Sequence, residues 1–115
     1  NQPDISRGLM MQSELDLMTK AVFALGVHHV FICPHSDEDS CLCRKPKPGL
    51  LTQYLDLLDC KPTELWMIGD REVDVEAGSK IGAGVIRIGI HSDQATNAKY
   101  SCSSLVEAIC VIVNI

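Results

Sequence analysis

Three thiols and an imidazole crowd into eleven residues: Cys33-Pro34-His35, five residues, then Cys41-Leu42-Cys43. A polar loop of that length is costly to order unaided, so what its side chains can bind decides how it folds. Soft sulfur and borderline nitrogen donors in a set of four suit a tetrahedral zinc ion. A closed set leaves no open coordination position, so the expected zinc is structural and stiffens loop 33–43. The competing reading is a polar loop with incidental thiols, some of them paired. Cys41 and Cys43 are too close in sequence to bridge comfortably, and a disulfide would leave His35 idle. Cys60, Cys102 and Cys110, the other three of six cysteines, read as ordinary thiols in helical or loop contexts. His28, His29 and His91 lack partners at useful spacing and read as structural.

Thiols grouped for a metal point to a reducing, cytoplasmic compartment. The formal charge of −5 opposes a nucleic-acid or anionic-lipid partner. A small phosphorylated ligand remains compatible, since a few local cations suffice for it. No run approaches the roughly 20 apolar residues that span a bilayer. Nor does a basic region followed by an apolar stretch mark a secretory leader. With 115 residues, 46% hydrophobic and 4% aromatic, the chain suits a single domain, 1–115, with an aliphatic core. The oligomeric state is not legible.

Periodicity predicts alternating elements. Residues 1–8 form a loop. A helix starts at Ser13, buries Leu15, Met18, Val22 and Leu25, and closes at Gly26. Residues 27–33 read as a strand, and 34–48 as a loop. A second helix over 49–59 buries Leu50, Leu51, Tyr54, Leu55 and Leu58. Residues 65–68 form a strand, 72–81 a helix stopped by Gly82, 84–88 a strand, and 104–111 a last helix. Short apolar strands between helices imply a parallel sheet covered on both faces. In such sheets ligands bind at the carboxyl ends of the strands. Cys33 and Asp70 follow predicted strand ends.

Two charged clusters stand out. Arg44-Lys45-Pro46-Lys47-Pro48-Gly49 places two cations beside the metal loop. There Arg44 could grip a phosphate with two bonds and Lys45 serve as a compact charge. A basic run alone is more often a solvated surface. Gly69-Asp70-Arg71-Glu72-Val73-Asp74 sets carboxylates on a strand-to-helix turn, a pattern suited to Mg²⁺. Helix capping explains it too, with Asp70 as N-cap and Glu72 near the positive helix end. Asp70 is the better ligand candidate; Asp74 is either a ligand or a supporting partner.

In this order, the motifs resemble the haloacid-dehalogenase (HAD) superfamily. The carrying residues are Asn1-Gln2, Cys33-Pro34-His35, Cys41-Leu42-Cys43-Arg44-Lys45-Pro46, and Gly69-Asp70-Arg71 with Asp74. A zinc loop running into Arg-Lys-Pro resembles one branch, the heptose-1,7-bisphosphate and histidinol-phosphate phosphatases. The likeness covers 1–88 and fades beyond. It implies an α/β, Rossmann-like, three-layer α/β/α parallel sheet, and a Mg²⁺-dependent phosphomonoesterase for a small phosphorylated metabolite. It also implies zinc on Cys33, His35, Cys41 and Cys43, Mg²⁺ at Asp70, and Lys45 stabilising the transferred phosphoryl group. Asn1, Gln2, Arg44 and Arg71 would contact substrate. The start of the chain and Lys47-Pro48-Gly49 look nearer the heptose type, while the five-residue spacer in the zinc loop is shared with the histidinol type.

One departure matters. The superfamily's nucleophile is the first aspartate of an Asp-x-Asp pair after the first strand, and no such pair precedes the zinc loop here. Asp4 and Asp16 are isolated, and Asp37-Glu38-Asp39 lies inside the loop. The expectation is therefore a sheet incomplete at its N-terminal side, and a chain that records part of a longer protein or is completed by another. A non-catalytic, zinc-stabilised module is the alternative of another class.

Overall fold

Backbone hydrogen bonding in the computed structural model, which describes residues 1–89 and 95–115, gives four α-helices, two single-turn 3-10 helices and three strands among those residues. The contacts divide the chain into two compact units, Asn1–Arg44 and Lys45–Ile115.

The first unit holds helix α1, Gln12–Ala24. The amide of Met11 donates to the Glu14 carboxylate at 2.8 Å, satisfying a group that the helix start would orphan. Gly26, at φ +88°, ends the helix where a side chain would be strained. Of the expected apolar face only Leu15 is buried; Met18, Val22 and Leu25 are exposed. The predicted strand over 27–33 is also absent. A strand exists only through its ladder, and no described strand pairs with this segment. Its end is fixed instead by the Gln2 amide, which donates to the Cys33 carbonyl at 2.7 Å.

The second unit is built on strands β1 (Trp66–Gly69), β2 (Gly84–Ile88) and β3 (Tyr100–Cys102), all parallel, in the order β1-β2-β3. Its helices are α2 (Gly49–Leu58), α3 (Glu72–Lys80) and α4 (Leu105–Val113). In α2, Leu50, Leu51, Tyr54 and Leu55 are half-buried and Leu58 is exposed. The expected boundaries hold within two residues, and those of β2 hold without change. Strand β3 was not foreseen, because three residues are too few to show alternation.

Alternation along the strands explains the layers. Ile86 packs with Cys102 and Ala108 of α4, joined by Trp66, Ile68, Ile88 and Tyr100. One residue along, Val85 and Met67 face the other way and meet Gly78 of α3. A Cβ at Gly78 would lie 2.7 Å from the Met67 Cβ and 2.9 Å from Val85 Cγ1. Helices thus cover opposite faces of a parallel sheet, as the three-layer reading expects. No helix among the described residues is long and apolar enough to cross a membrane.

Gly84 is fixed by the same packing. Its register partner is Trp66, whose ring would come within 2.6 Å of an added Cβ. Trp66 also stacks obliquely on Tyr100, with centroids 5.9 Å apart. Gly84→Val should therefore displace the indole from the core and cost about 1–3 kcal/mol, the range for overpacking. Urea unfolding measures this directly, and an unchanged midpoint would contradict the packing described.

Candidate active site and metal centre

In the first unit, the loop after residue 32 brings Cys33, His35, Cys41 and Cys43 together, with one donor atom of each within 4.8 Å of the others. Cys33 Sγ lies 3.6 Å from His35 Nδ1 and 3.7 Å from Cys41 Sγ, and His35 Nδ1 lies 3.2 Å from Cys43 Sγ. Tetrahedral zinc, with bonds of 2.3 Å to sulfur and 2.0–2.1 Å to nitrogen, sets its donors roughly 3.5–3.8 Å apart. The two separations from Cys33 match that spacing, and the one between His35 and Cys43 is shorter. Cys33, Cys41 and Cys43 are free thiols, as are Cys60, Cys102 and Cys110.

Electrostatics point the same way. Burial opposes charge on Cys41, yet bonds from the Arg44 and Cys43 amides and the neighbouring thiols hold its pKa down at about 6. Burial first, then its contacts with Cys33 and Cys41, push Cys43 up to about 12. Three thiols this close cannot all ionise without a cation among them. A divalent ion removes that conflict.

The loop is braced from within. Asp39 accepts from the Ser36 amide at 2.8 Å and from the hydroxyls of Ser36 and Ser6. The Ser6 amide donates to the Pro34 carbonyl at 3.2 Å, so residues 2–8 are tied to the loop. Arg44 turns inward: its Nε donates to Asp37 Oδ1 at 2.7 Å and its Nη1 to the His35 carbonyl at 3.4 Å. Asn1 and Gln2 line a cavity of about 190 Å³ with Leu15, Met18, Val22 and Phe31.

In the second unit, the turn after β1 carries the other candidates. Asp74, 3% exposed, receives the Lys45 ammonium on Oδ1 and the Arg71 amide, at 3.1 Å, on Oδ2. The helix N-cap is therefore Arg71 and not Asp70; Asp74, at the third helical position, supplies the carboxylate that closes the turn. Both Asp74 oxygens are committed. Asp70 is exposed, and its carboxylate has no partner among the described residues. Gly69 makes the arrangement possible, since a Cβ there would lie 2.2 Å from the Asp74 Cβ. Arg71 is exposed beside Asp70.

A further cluster escaped sequence reading. Arg87 donates to the Glu72 carboxylate at 2.7 Å and to the Asp70 carbonyl at 3.0 Å. Thr96 Oγ1 and the Asn97 amide also donate to Glu72, at 2.9 and 3.0 Å. The Asn97 bond above all holds the Glu72 carboxyl below its ordinary value; Thr96 and Arg87 add to this, while burial opposes it. The available signal was a cation inside the apolar strand Gly84–Ile88. Of the histidines set aside, His28 and His29 are exposed, while His91 lies outside the described residues.

A model of the HAD-hydrolase-like family matches residues 42–108, past the limit of 88 expected for the resemblance. A D-glycero-beta-D-manno-heptose-1,7-bisphosphate 7-phosphatase of Pseudomonas putida is 35% identical over 89 residues, covering 72% of this chain and 51% of that protein. A histidine biosynthesis bifunctional protein HisB of Legionella pneumophila is 46% identical over 59 residues, covering 51% of this chain and 17% of the relative. The chain thus spans about half or less of the length of these curated relatives. In fold, it is similar to a D,D-heptose 1.7-bisphosphate phosphatase from B. bronchiseptica, complexed with magnesium and phosphate. That likeness has a TM-score of 0.85 at 24% identity, over 99% of this chain and 71% of the other.

Proposed function

The chain belongs to the HAD-hydrolase-like family, and we propose that its protein is a Mg²⁺-dependent phosphomonoesterase acting on a small phosphorylated metabolite, D-glycero-D-manno-heptose 1,7-bisphosphate first among them. The observation that carries this reading is the division of labour after β1: Asp74 is spent on Lys45 and the Arg71 amide, while Asp70 is left uncommitted.

An exposed carboxylate at the carboxyl end of a parallel strand fits Mg²⁺, which takes one or two carboxylates and completes its shell with water and substrate phosphate. Bound there, the ion would neutralise charge on the phosphoryl oxygens. Asp74 acts through Lys45: its buried carboxylate fixes the ammonium in place, ready for charge that develops on the phosphoryl group. Arg71 is assigned to substrate beside Asp70. In the first unit, Asn1, Gln2 and Arg44 are assigned substrate contacts on the family resemblance, and Cys33, His35, Cys41 and Cys43 a structural zinc. The attacking aspartate is taken to come from a segment outside these 115 residues, since no Asp-x-Asp pair precedes the zinc loop.

The longer match, 89 residues, favours the heptose substrate. The higher identity over 59 residues to the histidine-biosynthesis protein supports histidinol phosphate as the second reading. The test compares both substrates on the full-length protein, with Mg²⁺ and with chelator. The expected result is Mg²⁺-dependent phosphate release, with kcat/KM at least about tenfold higher for the heptose bisphosphate, a gap of 1.4 kcal/mol. Asp70→Asn should abolish it. A reversed preference would select histidinol phosphate. Turnover of neither would leave the non-catalytic zinc module as the reading.

A further inference from the structure

We infer that Arg87 and Glu72 are positioning residues that aim the Asp70 carboxylate at its metal. The inference rests on the assignment of Asp70 to Mg²⁺ above.

One peptide bond is held from both sides. The Asp70 carbonyl and the Arg71 amide are the two ends of a single planar unit. Arg87 Nε holds the carbonyl at 3.0 Å, and Asp74 Oδ2 holds the amide at 3.1 Å. With this plane gripped at both ends and Gly69 held on the last rung of the ladder, the backbone is fixed on both sides of Asp70, and so is the direction in which its side chain leaves. Register explains why Arg87 can do this. It pairs with Gly69 on the last rung between β1 and β2. The next acceptor along β1 is the Asp70 carbonyl, and a side chain takes it in place of a ladder amide.

Arg87 is itself held. Its side chain is 15% exposed, and Nη1 is fixed on Glu72 Oε2 at 2.7 Å. Glu72 in turn gathers Thr96 Oγ1 and the Asn97 amide, so both of its carboxylate oxygens accept bonds. Of the three carboxylates at 70, 72 and 74, Glu72 and Asp74 are thus occupied in orienting the turn that carries Asp70. The two-pronged grip, one nitrogen on each acceptor, needs a guanidinium; an ammonium on a flexible stem cannot reproduce it.

The experiment measures Mn²⁺ binding to the full-length protein from the free-ion electron paramagnetic resonance signal, independent of turnover. Arg87→Lys keeps the charge and should weaken Mn²⁺ binding about tenfold or more, the usual effect of losing a group that orients a metal ligand. Glu72→Gln should weaken it less, because Arg87 Nε still reaches the Asp70 carbonyl. Ile86→Val, a destabilising change in the core on the same strand, should leave it unaltered. Wild-type affinity in Arg87→Lys overturns the inference, as does an equal loss in Ile86→Val, which would mark the effect as general loosening. Wild-type affinity in Asp70→Asn overturns the Mg²⁺ assignment itself, a separate failure.

Discussion

Replacing Lys45 with alanine should reduce turnover of the full-length protein about 10²–10³-fold, the usual loss when one donor to developing negative charge is removed. Zinc content should stay unchanged, because Lys45 lies outside the Cys/His cluster. The variant also leaves the Asp74 carboxylate, only 4% exposed, without its ammonium. Stranding one partner of a buried pair costs about 3–5 kcal/mol, and the 26% exposure of Lys45 places the loss toward the lower end. Stability and catalysis can be separated. Adding Asp74→Asn removes the stranded charge, so the double variant should recover stability and stay slow. Turnover that returned with stability would show that Lys45 serves folding alone.

The second large effect concerns the metal loop. Cys41→Ser should lose most of the bound zinc, read as metal per protein by mass spectrometry, whereas Cys60→Ser should keep it. Cys41 sits 3.7 Å from Cys33 and accepts the Arg44 amide at 3.3 Å, so it ties the end of the loop to its start. Structural zinc supplies about 10–16 kcal/mol of binding free energy that becomes folding free energy. The first unit has little else to draw on: Leu15, Cys33 and Ser36 are its buried residues. Full zinc stoichiometry in Cys41→Ser would refute the four-ligand assignment.

What could be read from the chain follows from how local each determinant is. The Cys/His cluster was legible because its four side chains lie within eleven residues, close enough for loop geometry to unite them. Strand β2 was legible because Gly84 and Gly89 bound a short run, residues 85–88, that is apolar but for Arg87. The reading of 27–33 as a strand failed for the opposite reason: composition describes a segment, whereas a strand needs a neighbour. Met18, Val22 and Leu25 carry the right spacing for a buried face, but spacing does not supply the surface that covers it. Asp70 was singled out by its place after a strand. That Asp74 and Glu72 would be committed elsewhere depended on Lys45, Arg87 and Asn97, which lie 29, 15 and 25 residues away. No local pattern carries such pairings.

Gly69 sets a limit on how this sequence can drift. An added methyl would meet the Asp74 Cβ, an atom placed by the helix backbone, so no change of side-chain rotamer can relieve the overlap. In a library varying residues 67–69 and selected for activity, Met67 and Ile68 should exchange with other aliphatics of similar size. Position 69 should return glycine alone, and alanine there should behave like the loss of Asp74. The smallest side chain in the strand would then be the least replaceable, invisible in any inventory of polar groups yet as restrictive as the acids and bases around it.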